Sequence, residues 1–187
     1  MKALFDKNPA LLLIDIQYGL DDPDFYGGNR NNPDAEKNMD ALLQKWRIEN
    51  RPIFHVRHSS TNPESPLHPS KPGFEMKDPL KPIEGEPLYT KNVNSAFIGT
   101  TLEKDLKDQG IDTVVIVGLT TNHCISTSVR MAGNLGFETY LIGDATATFD
   151  RIGVDGKKYD SEVVHQTALA SLHEEFAQVV NTQDLLL

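Results

Sequence analysis

The sequence predicts a three-layer α/β/α fold built around a mostly parallel six-stranded sheet. Near-continuous apolar runs recur along the chain, and stretches with helical patterning separate them. Strands of this kind are typical of a parallel sheet that helices cover on both faces. The chain has 187 residues, of which 39% are hydrophobic, and this is enough for one core but short for two. We therefore expect a single domain over residues 1–187.

The predicted elements follow in order along the chain. Six apolar segments are the predicted strands: Ala10–Ile14, Ile53–Val56, Glu86–Thr90, Val114–Val117, Phe137–Ile142 and Phe176–Val180. The predicted helices lie between them: Pro33–Glu49, Thr101–Gln109, Cys124–Leu135 and Ser161–Glu175. The remaining irregular segments are Asp21–Asn32, Ser59–Glu84 and a shorter one around Ala147–Asp160. Such long loops are typical of pocket walls and oligomer contacts, or else of mobile surface, and the sequence leaves both open.

Composition excludes several classes of function. The formal charge is −9 and the acidic residues are scattered, whereas a nucleic-acid partner requires a basic face. No N-terminal stretch has the basic-then-apolar pattern of a signal peptide, and the apolar runs are too short to span a bilayer. The single cysteine cannot form an internal disulfide, which favours a reducing, cytoplasmic setting. We expect a small-molecule substrate, no nucleic acid and no membrane.

That cysteine, Cys124, is the first candidate for chemistry. It follows the apolar run Val114–Gly118 and begins a helical pattern. A helix N-terminus offers unpaired N–H groups and the positive end of the helix dipole, which favour a nucleophilic thiolate. The alternative is a buried thiol that acts only as a small hydrophobe.

Two further ionisable residues end strand-like segments. Asp15 follows Ala10–Ile14, and Lys91 follows Glu86–Thr90. Because the carboxyl ends of parallel strands share one edge of the sheet, Asp15, Lys91 and Cys124 are expected to converge there. Asp15 would then accept and return a proton, and Lys91 would hold the anions in place. An inert Asp15–Lys91 ion pair is the alternative.

These positions carry a resemblance to the isochorismatase-like cysteine hydrolases. The matching blocks are Leu13-Ile14-Asp15-Ile16-Gln17, Lys91 with Asn94-Ser95-Ala96-Phe97-Ile98-Gly99-Thr100, Gly118-Leu119-Thr120-Thr121-Asn122-His123-Cys124, Ser126-Thr127-Ser128-Val129-Arg130-Met131-Ala132 and Gly143-Asp144-Ala145. The resemblance implies the isochorismatase-like hydrolase fold. Isochorismatases proper cleave a vinyl ether and lack the cysteine, whereas this chain has it. The resemblance therefore implies hydrolysis of a C–N bond through a Cys124 thioester-type intermediate. Small amides, carbamoylated amines and ureides remain open as substrates. A noncatalytic or redox-sensing member with a reactive thiol is the alternative.

The resemblance also suggests how the reaction's oxyanion is stabilised. The expected donors are the backbone N–H groups of Thr120 and Cys124. In related enzymes the peptide bond corresponding to Leu119–Thr120 is cis, which turns an amide toward the site. A Cys124–His123 dyad is disfavoured, because adjacent side chains at a helix start diverge.

Five residues are candidates for substrate binding, and each has a structural alternative. Gln17 can bind substrate or make a structural hydrogen bond. Phe25 and Phe97 can line the pocket, as can Tyr26, or they can belong to the core. Asn122 can contact substrate or cap the helix. Arg57 can bind a polar head group together with His58, or form a surface ion pair.

No metal and no cofactor are expected. Family members that deaminate nicotinamide hold a divalent ion with an Asp-x-His pair after the second strand, and this position here reads His58-Ser59-Ser60. His55 cannot join His58, because residues three apart on a strand point to opposite faces. Nicotinamide is therefore a less expected substrate.

Relatives commonly form dimers or larger symmetric oligomers, and the apolar C-terminal residues Leu185-Leu186-Leu187 also favour a homo-oligomer.

Overall fold

The computed structural model describes residues 2–187 and contains a six-stranded central sheet. Its strands are β1 (Ala10–Ile14), β2 (Ile53–His58), β3 (Leu88–Lys91), β4 (Thr113–Leu119), β5 (Glu138–Ala147) and β8 (Gln178–Val180). They lie in the order β3-β2-β1-β4-β5-β8, and every neighbouring pair is parallel. The predicted α/β/α class and the parallel sheet are confirmed.

Helices cover both faces of this sheet. They are α1 (Lys2–Phe5), α2 (Pro23–Tyr26), α3 (Ala35–Ile48), α4 (Leu102–Asp108), α5 (Ser126–Asn134), α6 (Ser161–Ala170) and α7 (Thr182–Leu186). Short 3₁₀ turns lie at Tyr18–Asp21 and Pro72–Phe74, and a π-helical turn spans Thr121–Ile125. No described helix has both the length and the apolarity that crossing a bilayer requires.

The two faces of the sheet carry separate hydrophobic clusters. Leu11 and Leu13 of β1 pack in the cluster that includes Trp46 of α3, whereas Leu12 and Ile14 pack in the cluster on the opposite face. Successive side chains of a strand point to opposite faces, so a continuously apolar strand fills both layers. This explains why the β1 sequence is apolar at every position.

Several predicted boundaries differ from the structure. Strand β5 extends past Ile142 to Ala147, and its register with β4 shifts between Ile116 and Gly118. Helix α6 ends at Ala170 rather than at Glu175, and Glu174, in the turn that follows, takes a left-handed conformation with φ +64°.

All three predicted irregular segments contain local structure: α2 lies in the first, the Pro72–Phe74 turn in the second and a hairpin in the third. The segment after β5 forms a two-stranded antiparallel hairpin of β6 (Arg151–Ile152) and β7 (Lys158–Tyr159).

At the C-terminus, Leu185 packs in the core, whereas Leu187 is exposed. The predicted apolar terminal surface is therefore smaller than the sequence suggested.

Gly118 allows β4 to approach β1 closely beside the candidate site. It has φ +131°, and a Cβ on this residue would lie 2.0 Å from the carbonyl oxygen of Ile14. No other residue type fits this approach, because any side chain would collide with the β1 backbone. Gly118 thereby sets the spacing between the end of β1, where Asp15 follows, and the end of β4, from which the chain continues to Cys124.

Candidate active site

The carboxyl ends of four neighbouring strands bring together four reactive side chains. Asp15 directly follows β1, His58 ends β2, Lys91 ends β3 and Cys124 follows β4 by five residues. His58 and Lys91 are register partners in the sheet. The expected convergence of Asp15, Lys91 and Cys124 is observed, and His58 joins them.

The Lys91 ammonium lies at the centre of this group. Its Nζ is 2.6 Å from Oδ2 of Asp15, 3.1 Å from Nδ1 of His58 and 3.4 Å from Sγ of Cys124. An ammonium has three donors and no acceptor, so these contacts use all of its hydrogen-bonding capacity. The Lys91 side chain has no exposed surface and that of Asp15 is 2% exposed, so the pair is shielded from water and salt.

The Asp15 carboxylate is only partly satisfied. Asp15 has a left-handed backbone conformation with φ +55°, and its backbone N–H donates to the carbonyl of Val56. Oδ2 pairs with Lys91, whereas Oδ1 is buried and has no hydrogen-bond partner among the described residues. A non-glycine residue in this conformation and an unpaired buried oxygen are both features that concentrate at functional sites.

Cys124 lies in the π-helical turn Thr121–Ile125, ahead of α5, and its environment differs from the predicted one. Burial raises the pKa of its thiol well above the ordinary range, the Asp15 charge raises it further, and Lys91 opposes the rise. Cys124 Sγ lies within 4.8 Å of the Asp15 carboxylate. Burial and this charge therefore oppose the thiolate that the helix N-terminus is expected to favour, and Lys91 supports it.

Three of the four side chains, those of Asp15, His58 and Cys124, border a cavity of about 290 Å³, just below the usual range for ligand pockets. The cavity-lining residues come from strand ends, α2, the π-helical turn and two loops: Asp15, Leu20, Tyr26, His58, Ser65, Leu67, Asn94, Leu119, Thr120, His123 and Cys124. Ser65 and Leu67 belong to the long segment Ser59–Glu84, so part of that loop forms a pocket wall.

Both residues predicted to donate to an oxyanion line this cavity. The Leu119–Thr120 peptide bond is cis, the isomer that the resemblance implies. The Thr120 carbonyl accepts hydrogen bonds from the N–H groups of His123 and Ile125. Within residues 2–187, the Thr120 N–H itself has no recorded hydrogen-bond partner.

The five predicted substrate-binding residues do not line the cavity. The Gln17 side chain is buried and bonds both the N–H and the carbonyl of His58, as well as the carbonyl of Phe74. Arg57 donates to Thr90 and stacks on the ring of Phe74. Gln17 therefore makes the structural hydrogen bonds that the sequence left open. Arg57 makes a hydrogen bond and a cation–π contact where the sequence left open a surface ion pair.

The two phenylalanines and Asn122 are also placed elsewhere. Phe97 is buried in the core and stacks on Phe137, at 6.0 Å between ring centroids. The Phe25 ring is exposed and contacts Tyr26 edge-on, so within α2 only Tyr26 faces the cavity. The Asn122 Oδ1 accepts a hydrogen bond from the hydroxyl of Thr148.

Sequence reasoning did not select three polar residues of the cavity wall as binding candidates. Asn94 Oδ1 lies 3.9 Å from Cys124 Sγ, and the only signal for it was its place in a motif block. His123 lines the cavity beside Thr120, although no hydrogen bond joins it to Cys124 among the described residues. Ser65 lies in a proline-rich loop whose path the sequence does not reveal.

The same cluster bears on metal binding. One potential ligand atom from each of Asp15, His58 and Cys124 lies within 4.8 Å of the other two. The Lys91 ammonium already bonds all three side chains. A divalent cation would have to displace this buried positive charge, so the donor set fits the ammonium better than a metal. His55 lies apart, bonded to Glu86, as strand geometry predicts.

His58 is neutral in this arrangement. Its Nδ1 accepts from the Lys91 ammonium, so its ring proton is on Nε2. Burial lowers the pKa of His58, and the Lys91 charge lowers it further. His58 therefore adds no charge to the cavity wall.

Comparison with known proteins agrees with this geometry. The model of the isochorismatase domain matches residues 9–184. The uncharacterized isochorismatase family protein YrdC of Bacillus subtilis is 45% identical over 181 residues, covering 97% of this chain and 96% of that protein. Nicotinamidase 3 of Arabidopsis thaliana is 28% identical over 195 residues, covering 96% and 87%. The crystal structure of an isochorismatase-family protein from Chromobacterium violaceum has a TM-score of 0.91 at 42% identity, covering 95% of this chain and 91% of that one. The chain therefore belongs to the isochorismatase family of hydrolases.

Proposed function

We propose that the protein is a cysteine-dependent amidohydrolase that cleaves a C–N bond of a small amide, carbamoyl or ureide substrate. The observation that carries this proposal is that a thiol and a carboxylate line one cavity and share a buried ammonium as their common partner. Cys124 Sγ is within 4.8 Å of the Asp15 carboxylate, and Lys91 Nζ bonds both. The carboxylate can take a proton and the thiol can attack a carbon, which are the two requirements of nucleophilic amide hydrolysis.

In the first step, Asp15 accepts the thiol proton, and the resulting Sγ anion attacks the carbonyl carbon. The new C–S bond pushes the carbonyl electrons onto oxygen, and the backbone N–H groups of Thr120 and Cys124 stabilise the oxyanion. When the intermediate collapses, the C–N bond breaks and the leaving nitrogen takes the proton from Asp15. The product is a thioester on Cys124 and a free amine or ammonia.

In the second step, Asp15 deprotonates a water that attacks the thioester. The C–S bond then breaks, the sulfur recovers its proton from Asp15, and the carboxylic acid product leaves. Water supplies the oxygen and the proton that the two products gain, so the enzyme returns to its starting state.

Lys91 lowers the free-energy cost of the first proton transfer in a buried site. Before transfer the negative charge is on Asp15, and afterwards it is on Sγ, so the net charge around Lys91 stays constant. The ammonium lies 2.6 Å from the first anion and 3.4 Å from the second. It therefore stabilises the anion in both states without moving far.

The cavity limits the substrate to a small molecule. Its volume of about 290 Å³ corresponds to roughly ten water molecules at about 30 Å³ each. The relative named nicotinamidase supports an amide bond as the target. The Asp-x-His pair of the nicotinamide-deaminating members is missing from this chain. Nicotinamide is therefore one of several open substrates and is not favoured over the others.

An ammonia-release screen of small primary amides and ureides tests this function. We expect turnover by the wild-type protein, none by Cys124→Ala and almost none by Asp15→Asn. The exposed residue Lys104 provides a control, because Lys104→Gln should retain wild-type turnover. Full turnover in Cys124→Ala would refute the nucleophile assignment.

The redox-sensing alternative receives less support from the site. Redox-sensing cysteines combine a low pKa with solvent access. Burial and Asp15 instead raise the pKa of the Cys124 thiol, which slows its reaction with peroxide.

A further inference from the structure

His123 lies in the cavity wall, and a residue outside the cavity lining fixes the tautomer of its imidazole. Arg151, the first residue of the β6–β7 hairpin, places Nη2 2.9 Å from Nε2 of His123. A guanidinium has only donors, so Nε2 of His123 must be the acceptor in this bond. His123 therefore carries its ring proton on Nδ1 and is uncharged.

Among the described residues, the resulting Nδ1–H has only one long contact. Its nearest hydrogen-bonding neighbour is Oγ1 of Thr120 at 3.4 Å, which is longer than an ordinary N–H···O bond. His123 and Thr120 both line the cavity. The ring thus offers the cavity a donor that a bound molecule can use.

Surrounding charges keep His123 in this form. Burial lowers the pKa of His123, and the positive charge of Arg151 lowers it further. Arg151 also donates to the carbonyl of Tyr26 in α2, at 3.4 Å. Its head group is thereby held between α2 and the π-helical turn, where it can position the imidazole.

Among the described lining residues, no unpaired charge is available to recognise an ionic substrate. Asp15 and Lys91 neutralise each other, and both lining histidines act as neutral donors or acceptors. Arg57 and Arg151 lie outside the lining, so neither offers a guanidinium to a substrate carboxylate there. Recognition must therefore come from hydrogen bonds to uncharged groups.

We propose that Arg151 is a positioning residue that holds His123 as the Nδ1–H tautomer, and that this N–H selects amides bearing an uncharged hydrogen-bond acceptor in addition to the reacting amide. The tautomer stands on geometry alone, whereas its use in substrate selection rests on the proposed function. His123 is then a specificity residue rather than a partner of the nucleophile.

The tautomer is testable without any substrate. Long-range ¹H–¹⁵N correlation spectra of protein labelled with ¹⁵N-histidine distinguish the two neutral forms, and His123→Gln assigns the signal among six histidines. We expect the Nδ1–H form in the wild type and in Arg151→Lys, which keeps a donor, and a shift toward the Nε2–H form in Arg151→Leu. An Nε2–H signal in the wild type, or no change in Arg151→Leu, overturns the assignment.

Binding tests the role in selection. In the Cys124→Ala background, which prevents turnover, we compare benzamide with the three pyridinecarboxamide isomers, which differ from it by one ring acceptor. At least one isomer should bind about three- to tenfold more tightly than benzamide, the range expected for one hydrogen bond. Adding His123→Leu or Arg151→Leu should reduce this ratio to about one.

Equal affinity for benzamide and all three isomers, or binding of none, overturns the role in selection. These outcomes are separable from failure of the proposed function. Loss of the tautomer or of selectivity, with Cys124-dependent hydrolysis intact, removes only this inference. Turnover that persists in Cys124→Ala removes the proposed function and leaves the tautomer result standing.

Discussion

Replacing Lys91 with methionine should destabilise the fold strongly, because it leaves a buried carboxylate without its partner. The Asp15 side chain is 2% exposed, its Oδ2 bonds only Lys91, and its Oδ1 has no partner among the described residues. Removing one member of a buried ion pair costs about 3–5 kcal/mol. A domain of this size has a total unfolding free energy of about 5–15 kcal/mol, so the variant should be marginally stable.

The assay is urea unfolding followed by the fluorescence of Trp46, the only tryptophan and fully buried. The double variant Asp15→Asn with Lys91→Met removes both charges and should recover most of the lost stability. Lys104→Met is the matched control, because Lys104 pairs with Asp108 on the exposed face of α4, and it should leave the midpoint nearly unchanged. The reasoning fails if Lys91→Met unfolds at the wild-type midpoint, or if the double variant recovers nothing.

Three further predictions follow from the site and the core. The pH profile of Cys124 alkylation should move to lower pH in Asp15→Asn, because the Asp15 charge raises the pKa of the thiol, and to higher pH in Lys91→Met, because Lys91 lowers it. Iodoacetamide rates measured on this single-cysteine chain check the shifts, and a profile that is the same in both variants would contradict them. Phe97→Ala should cost about 3–5 kcal/mol in urea unfolding, since its ring is buried against Phe137, whereas a change confined to KM would return Phe97 to the substrate pocket. Light scattering should find a dimer or larger assembly, because the β6–β7 hairpin exposes Ile152, Val154 and Tyr159, and a monomer at micromolar concentration would contradict this.

The sequence specified the sheet well, because burial on both faces leaves a strong signal. Strand β1 matches its apolar run residue for residue. The end of β5 was missed, since Gly143-Asp144-Ala145 interrupts the apolar run while the backbone continues in the sheet. The end of α6 at Ala170 was missed because no glycine or proline follows it in the sequence to mark a helix end.

The sequence predicted the reactive residues of the candidate site but not most of the residues that line its cavity. Strand-end logic located Asp15, Lys91 and Cys124, since the topology alone places such residues at one edge. It could not give side-chain directions in loops, so Phe25 and Phe97 were left open between pocket and core, whereas the pocket wall includes Asn94 and His123. The helix N-terminus that favours a Cys124 thiolate is local in sequence, whereas the burial and the Asp15 charge that oppose it come from distant segments.

The central claim is that Cys124 forms a covalent thioester during turnover. Intact-protein mass spectrometry of acid-quenched reactions, with a substrate from the ammonia-release screen, tests it most directly. We predict a mass increase equal to the acyl group, located by peptide mapping on Cys124 and absent from Cys124→Ala. Steady turnover with no adduct at any quench time, together with activity in Cys124→Ala, would contradict the claim.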